Sequence, residues 1–136
     1  MKKAKSRFQE LASAWLPVAL YMAVIFYFSS MPLPPTTDLG LVSNKILHVV
    51  EYAGLGLLAV RAAKKHGLEN ASLRLMALAF VFAFAYGASD EIHQYFVPGR
   101  HMAFTDALLD SFGGLIGGTI NVMASKLGGR RLRAWL

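Results

Sequence analysis

The stretch SAWLPVALYMAVIFYFSSM, residues 13–31, carries no charged side chain from end to end. A run of about 20 apolar residues is long enough to cross the roughly 30 Å hydrocarbon core of a membrane as an α-helix. Pro17 lies near its start, where a missing N–H costs least. The run is long for a signal peptide, and no small-residue cleavage pattern follows it. We therefore predict that residues 13–31 form a retained transmembrane helix.

Three further apolar runs have similar length, at residues 45–63, 71–89 and 105–126. Helices are the expected structure for all of them, because backbone polar groups find no partners in lipid. The 136 residues are 55% hydrophobic and only 16% charged, whereas about 25% of a typical soluble domain is charged. We predict one domain over residues 1–136 with an all-α fold, an integral membrane four-helix bundle.

Lysine and arginine residues are distributed unevenly between the connections. Four precede residue 8, four lie between residues 61 and 74, and four lie between residues 126 and 133. The other two connections hold only Lys45 and Arg100. Because positive residues favour the cytoplasmic side, both termini are predicted to be cytoplasmic. The net charge of +6 is therefore typical of membrane flanks, and we predict no nucleic-acid partner.

Acidic residues gather in one short stretch, YGASDEIHQYFVPGRHMAFTDALLD at residues 86–110, which holds four of the eight acids. At about 100° per residue, the polar residues of each predicted helix fall on one face. These faces carry Lys45, His48, Glu51 and Tyr52; Tyr86, Asp90, His93 and Gln94 with Glu91 beside them; and Asp106, Asp110, Gly113, Gly117 and Asn121. Ionisable residues at membrane depth usually face a bundle interior or cavity. We predict one shared polar cavity near the extracytoplasmic surface, at the level of Ser29 and Ser30.

This cavity supplies the candidate site residues. The candidate catalytic residues are Glu91, His48 and Asp106, with His48 or Glu91 suited to proton transfer. The candidate binding residues are Lys45, Tyr52, Asp90, Gln94, Arg100 and Asp110. We expect Arg100 to fold back after the turn and grip Asp106 or Asp110 with two hydrogen bonds.

Two other interpretations of the same residues stay open. His48, Glu51 and Tyr52 could form a hydrogen-bonded network that only fixes helix packing. Alternatively, the i, i+3 pair of Asp90 and His93 could bind a divalent metal ion, with donors added by His48, Glu51, Asp106 and Asp110. We assign no metal ligand on this pattern alone, and the cofactor is left unknown.

Glycines in the last predicted helix form two pairs at small-xxx-small spacing, Gly113 with Gly117 and Gly114 with Gly118. Such pairs allow close approach of two helices in a membrane. The spacing does not say whether the partner helix belongs to the same chain. A homo-oligomer through this helix is therefore a second possibility.

The chain resembles the VanZ-like family of small membrane proteins, which is named after a teicoplanin-resistance accessory protein. The resemblance rests on FYFSSMPLP at residues 26–34, KILHVVEYAGLGLL at 45–58 and YGASDEIHQYFVPGRHMAFTDALLDSFGGLIG at 86–117. Within these stretches the matching residues are Lys45, His48, Tyr52, Glu91, Gln94, Arg100 and Asp106. Asp110 departs from the family pattern, which often has asparagine there.

The resemblance implies a bacterial-type cytoplasmic membrane protein that affects glycopeptide susceptibility through the cell envelope. It names no reaction. Our leading hypothesis is a cavity that binds an anionic lipid or a lipid-linked cell-wall intermediate. The alternatives are a membrane-embedded hydrolase or transferase acting on a lipid phosphate, and a small transporter. A transporter needs a polar path to the cytoplasmic side, and the cytoplasmic halves of all four predicted helices look apolar.

Overall fold

The computed structural model describes residues 6–32, 41–68 and 72–127, with only the backbone for residues 41–44. The proline-rich connection at 33–40 and most of the terminal basic residues lie outside these ranges. Four helices are present: α1 at Arg7–Ser29, α2 at Leu41–Ala63, α3 at Ser72–Gln94 and α4 at Phe104–Leu127. Each is long and apolar enough to cross a membrane, which confirms the all-α transmembrane fold.

All four helices differ from the predicted bounds, and two of the extensions have identifiable reasons. Helix α1 begins at Arg7 because Ser6 and Gln9 form a capping box, in which the backbone N–H of Gln9 donates to Ser6 Oγ over 3.3 Å. Helix α3 continues past residue 89 to Gln94. Its polar last turn stays helical because Asp90 and Glu91 are buried in the bundle.

The helices alternate in direction along the chain. The Tyr86 hydroxyl donates to the Met22 carbonyl over 2.6 Å, and the Tyr21 hydroxyl donates to the Glu51 carbonyl over 3.0 Å. Helix α4 packs against both α2 and α3, whereas α1 packs mainly on α2. This arrangement gathers the C-terminal ends of α1 and α3 and the N-terminal ends of α2 and α4, which together we call the polar end.

The glycines of α4 make contacts within the chain. A Cβ at Gly117 would collide with the Ala53 carbonyl of α2, and one at Gly113 would lie 2.6 Å from the Val49 oxygen. On the other side of α4, Gly114 and Gly118 face Ala83 and Ala79 of α3. Both glycine pairs therefore contact helices of the same chain, and a homo-oligomer through α4 stays a prediction.

The outer surface of the bundle is apolar. On α1 the side chains of Leu16, Leu20 and Val24 are all exposed, and large apolar residues are exposed on the other three helices as well. In water such a surface would favour aggregation, whereas in a bilayer it contacts lipid tails. The exposed face of the bundle is thus consistent with four membrane spans.

Candidate functional site

A cavity of about 420 Å³ lies at the polar end, between α1, α2 and α3. Part of its lining is apolar and comes mainly from α1 and the residues that follow it. These residues are Ile25, Phe28, Met31, Pro32 and Leu47. The remainder is polar and consists of Ser29, His48, Glu51, Asp90, Gln94 and Arg100. Polar residues of α1, α2 and α3 thus line one cavity, whereas none of its lining residues belongs to α4, whose polar face the sequence had assigned to the same cavity.

Behind this cavity lies a buried group that we call the His48 cluster, formed by His48 of α2, Glu91 of α3 and Asp110 of α4. His48 Nδ1 and Asp110 Oδ1 are 3.0 Å apart. One donor atom from each of the three residues lies within 4.8 Å of the others. The cluster therefore ties together the three helices that form the core of the bundle.

Local sequence explains how the cluster is held. Gly87 lies one turn before Glu91, and a Cβ at Gly87 would sit only 2.5 Å from Asp110 Oδ2. The missing side chain thus makes room for the Asp110 carboxylate against α3. Glu91 Oε2 accepts a hydrogen bond of 2.7 Å from the backbone N–H of Ala103, which fixes the connection between α3 and α4.

Three buried polar atoms of the polar end have no hydrogen-bond partner among the described residues: Ser29 Oγ, Tyr52 Oη and Asp90 Oδ1. The other oxygen of Asp90 accepts a bond of 2.8 Å from Gln94 Nε2. The Tyr52 ring stacks on His48, with ring centroids 6.5 Å apart. Native proteins rarely bury polar atoms unpaired, and such atoms call for an explanation such as a ligand, water or ion.

Arg100 does not make the predicted pair with Asp106 or Asp110. Its Nη2 donates to the Phe28 carbonyl over 2.9 Å, and its Nε donates to the Met31 carbonyl over 3.3 Å. Phe28 lies in the last turn of α1, where the C=O groups of a helix lack internal partners, and Met31 follows that helix. Asp110 is already bonded to His48. Arg100 thus closes the end of α1 and also lines the cavity.

The candidate residues separate into three sets. His48, Asp90, Gln94 and Arg100 line the cavity, while Tyr52, Glu91 and Asp110 are buried at the polar end without lining it. Lys45 is exposed and Asp106 is half-buried, and neither lines the cavity. Asp106 is instead near Thr105, whose hydroxyl lies 3.4 Å from its carboxylate.

Two polar residues of the cavity were not among the predicted site residues, although their positions were visible in the sequence. Glu51 lies three residues after His48, and Ser29 ends α1 at the same depth. His93, in contrast, does not join Asp90 in a ligand pair. Its Nε2 lies 3.0 Å from Ser30 Oγ, and its ring packs 4.5 Å from that of Phe26.

The opposite end of the bundle is less apolar than predicted. Lys64 is buried there, and its ammonium group donates to Asn121 Oδ1 over 2.6 Å and to Ser125 Oγ over 2.7 Å. Between this group and the polar end, α2 and α4 meet through Gly56 and Gly114. The contact of the two backbones there separates the two polar regions.

The chain was compared with family models, curated proteins and solved structures. A family model described as VanZ/LLP1 matches residues 8–125. No curated protein and no solved structure matches the chain. The matched range contains every residue that lines the cavity and all of the His48 cluster.

Proposed function

Because this chain belongs to the VanZ/LLP1 family, the VanZ-like family that its motifs resemble, we propose that it acts as a lipid-binding protein of the bacterial cell envelope. The ligand is an anionic lipid or a lipid-linked cell-wall intermediate, held with its headgroup in the cavity at the polar end. Binding there alters the susceptibility of the envelope to glycopeptides. The polar end faces the extracytoplasmic side.

The observation that carries this proposal is the mixed lining of the cavity. Phe28 and Met31 line it and are also exposed, which gives a hydrocarbon chain an apolar route towards the bilayer. Asp90 and Gln94 present polar atoms to the same space. An amphiphile with a polar head and an apolar tail matches such a lining better than a purely polar solute does.

The charged residues of the cavity limit the chemical class of ligand that it can bind. A guanidinium has five N–H donors, and Arg100 uses two of its nitrogen atoms on carbonyls of α1, which leaves N–H groups for a phosphate. Glu51 and Asp90 would repel a bare phosphate, but as acceptors they suit hydroxyl, amide or ammonium donors. A lipid that carries both a phosphate and a sugar or amine group therefore fits best, and this favours a lipid-linked intermediate.

Arg100→Lys tests this assignment. Lysine keeps the charge, but its donors lie on a single nitrogen atom and cannot reproduce the fork with which a guanidinium reaches two carbonyls and a phosphate on different sides. We expect it to bind a polyprenyl-phosphate-linked saccharide about tenfold or more weakly, since bonds to charged groups contribute about 1.5–3 kcal/mol each. Purified protein in lipid nanodiscs would be titrated with this probe and, separately, with phosphatidylglycerol.

Arg74→Lys is the matched control, because Arg74 is exposed at the start of α3, at the other end of the bundle. It should bind like the parent. Equal affinity of the Arg100→Lys and parent proteins for the saccharide probe would contradict the proposal. A preference for phosphatidylglycerol would instead assign a simple anionic lipid.

The orientation can be tested with single cysteines, because the sequence contains none. The glycines at 67 and 99 are unsuitable hosts, since their φ angles of 92° and 79° strain any other residue. His101 and His66 are exposed at opposite ends of the bundle. A membrane-impermeant thiol reagent should label His101→Cys in intact cells and leave His66→Cys unlabelled. The reverse pattern would place the polar end in the cytoplasm.

A second candidate function is supported by the His48–Asp110 pair. A histidine whose ring nitrogen is bonded to a buried carboxylate is the arrangement that general bases use. In a hydrolase or transferase acting on a lipid phosphate, His48 would be the general base, because it lines the cavity that would hold the substrate. Release of phosphate or transfer of the headgroup by the purified protein would support this function, whereas stoichiometric binding without turnover would support the binding protein.

A further inference from the structure

The donor atoms of the His48 cluster lie close to the spacing that ligands have around one metal ion. Two adjacent ligand atoms about 2.1 Å from an octahedral ion lie about 3.0 Å apart, and two opposite ones about 4.2 Å apart. The His48 Nδ1 and Asp110 Oδ1 atoms are 3.0 Å apart, and all three donor atoms, including that of Glu91, lie within 4.8 Å of one another. A single ion can therefore contact all three residues with little movement.

The charges of the polar end point to a bound cation. Five carboxylates are present, those of Glu51, Asp90, Glu91, Asp106 and Asp110, and all but Glu51 and Asp106 are buried. Among the described residues, the cavity is lined by only one permanent cation, Arg100, which already donates to α1. Burying an unbalanced charge costs several kcal/mol per ion. A divalent cation would offset this excess.

Unpartnered atoms beside the cluster give a second, independent indication. Asp90 is 5% exposed and lines the cavity next to His48, yet its Oδ1 has no partner among the described residues. The Tyr52 hydroxyl is in the same condition, and the Tyr52 ring stacks on His48. Both atoms can bond to water molecules carried by a metal ion, since such outer contacts usually surround metal ligands.

We propose that His48, Glu91 and Asp110 bind one divalent transition-metal ion, of the Zn²⁺ or Mn²⁺ class, at the inner side of the cavity. A set of one imidazole and two carboxylates without thiolate suits these ions. His48 bridges the ion and the cavity, so the metal lies next to the space that a ligand would occupy. This site stands whether or not the cavity binds a lipid.

The test uses the full chain in detergent micelles without added lipid, so its outcome is independent of lipid binding. After removal of metal with a chelator, the protein would be titrated with Zn²⁺ and with Mn²⁺. We expect about one ion per chain, by analogy with a single preformed site. His48→Gln and Asp110→Asn should each weaken binding at least about tenfold. His101→Gln, which removes an exposed histidine near the same end, should bind like the parent.

A spectroscopic measurement keeps the test decisive if the cluster variants fail to fold. The electron spin-echo spectrum of Mn²⁺ bound to the parent protein should show coupling to an imidazole nitrogen, and this coupling should persist in His101→Gln and His93→Gln. Absence of tight binding, absence of the nitrogen coupling, or loss of binding in His101→Gln would each overturn the site. The last outcome would identify an adventitious surface ion only.

Discussion

Replacing Gly117 with leucine is expected to prevent the bundle from assembling. A Cβ at this position would already collide with the Ala53 carbonyl oxygen. The same Cβ would lie 2.6 Å from the Ala53 carbonyl carbon and 2.9 Å from the Ala53 Cα. All three belong to the backbone, so no side-chain rotation can make room. Overpacking a well-packed interior by single methylenes costs about 1–3 kcal/mol, and leucine adds more, so we expect a loss above about 3 kcal/mol.

The matched control is Ala85→Leu, which adds a similar apolar group to an exposed position of α3. It should leave membrane abundance and the melting temperature in detergent unchanged, whereas Gly117→Leu should lower both. Gly117→Ala should fall between them, because alanine improves helix propensity by about 1 kcal/mol while still forcing the backbones apart. Normal abundance of Gly117→Leu would show that α2 and α4 do not pack as closely as described.

The number and type of helices could be predicted from sequence because lipid imposes a strong constraint. An apolar run of membrane length has few structures open to it, and each of the four runs became a helix. That His48, Glu91 and Asp110 lie at the same end of the bundle could also be predicted, because the helical period and the position of each residue along its helix place all three there. The helical period does not predict the distances between these three side chains.

The hydrogen-bond partners of Arg100 could not be predicted from the helical period. Its partners are backbone carbonyls of Phe28 and Met31, and carbonyls are the same at every position of a sequence. Arg100 follows Gly99, which has a φ of 79°, and it donates to the carbonyls of Phe28 and Met31 rather than to Asp110. A conformation of this kind is set by the whole connection rather than by any pattern of residue types.

The environment of Lys64 could not be predicted from the sequence either. A lysine after an apolar run is typical of a membrane flank, where the side chain reaches water. In this chain the ammonium group is buried because Asn121 and Ser125 of α4 accept its hydrogen bonds. These partners are 57 and 61 residues away in sequence, so no local pattern connects them with the lysine.

Replacing His48 with leucine is expected to destabilise the protein strongly and to remove ligand binding. Leucine leaves the Asp110 carboxylate, which is 1% exposed, without its 3.0 Å partner at the centre of three helices. Removing one member of a buried charged pair typically costs about 3–5 kcal/mol, since the remaining charge is uncompensated. The melting temperature in detergent and the membrane abundance should therefore fall together.

Adding Asp110→Asn to His48→Leu separates the structural role of the pair from its functional one. Asparagine has the shape of aspartate and so fits the space that Gly87 leaves, but it carries no charge. The double variant should therefore be more stable than His48→Leu alone, since the uncompensated charge is gone, and it should still fail to bind the lipid probe or Zn²⁺. If recovered stability also restored binding, the pair would serve only to hold helices together. If the double variant were no more stable than His48→Leu, Asp110 would be uncharged in the folded protein. The excess of negative charge at the polar end, which argues for a bound metal ion, would then be smaller by one.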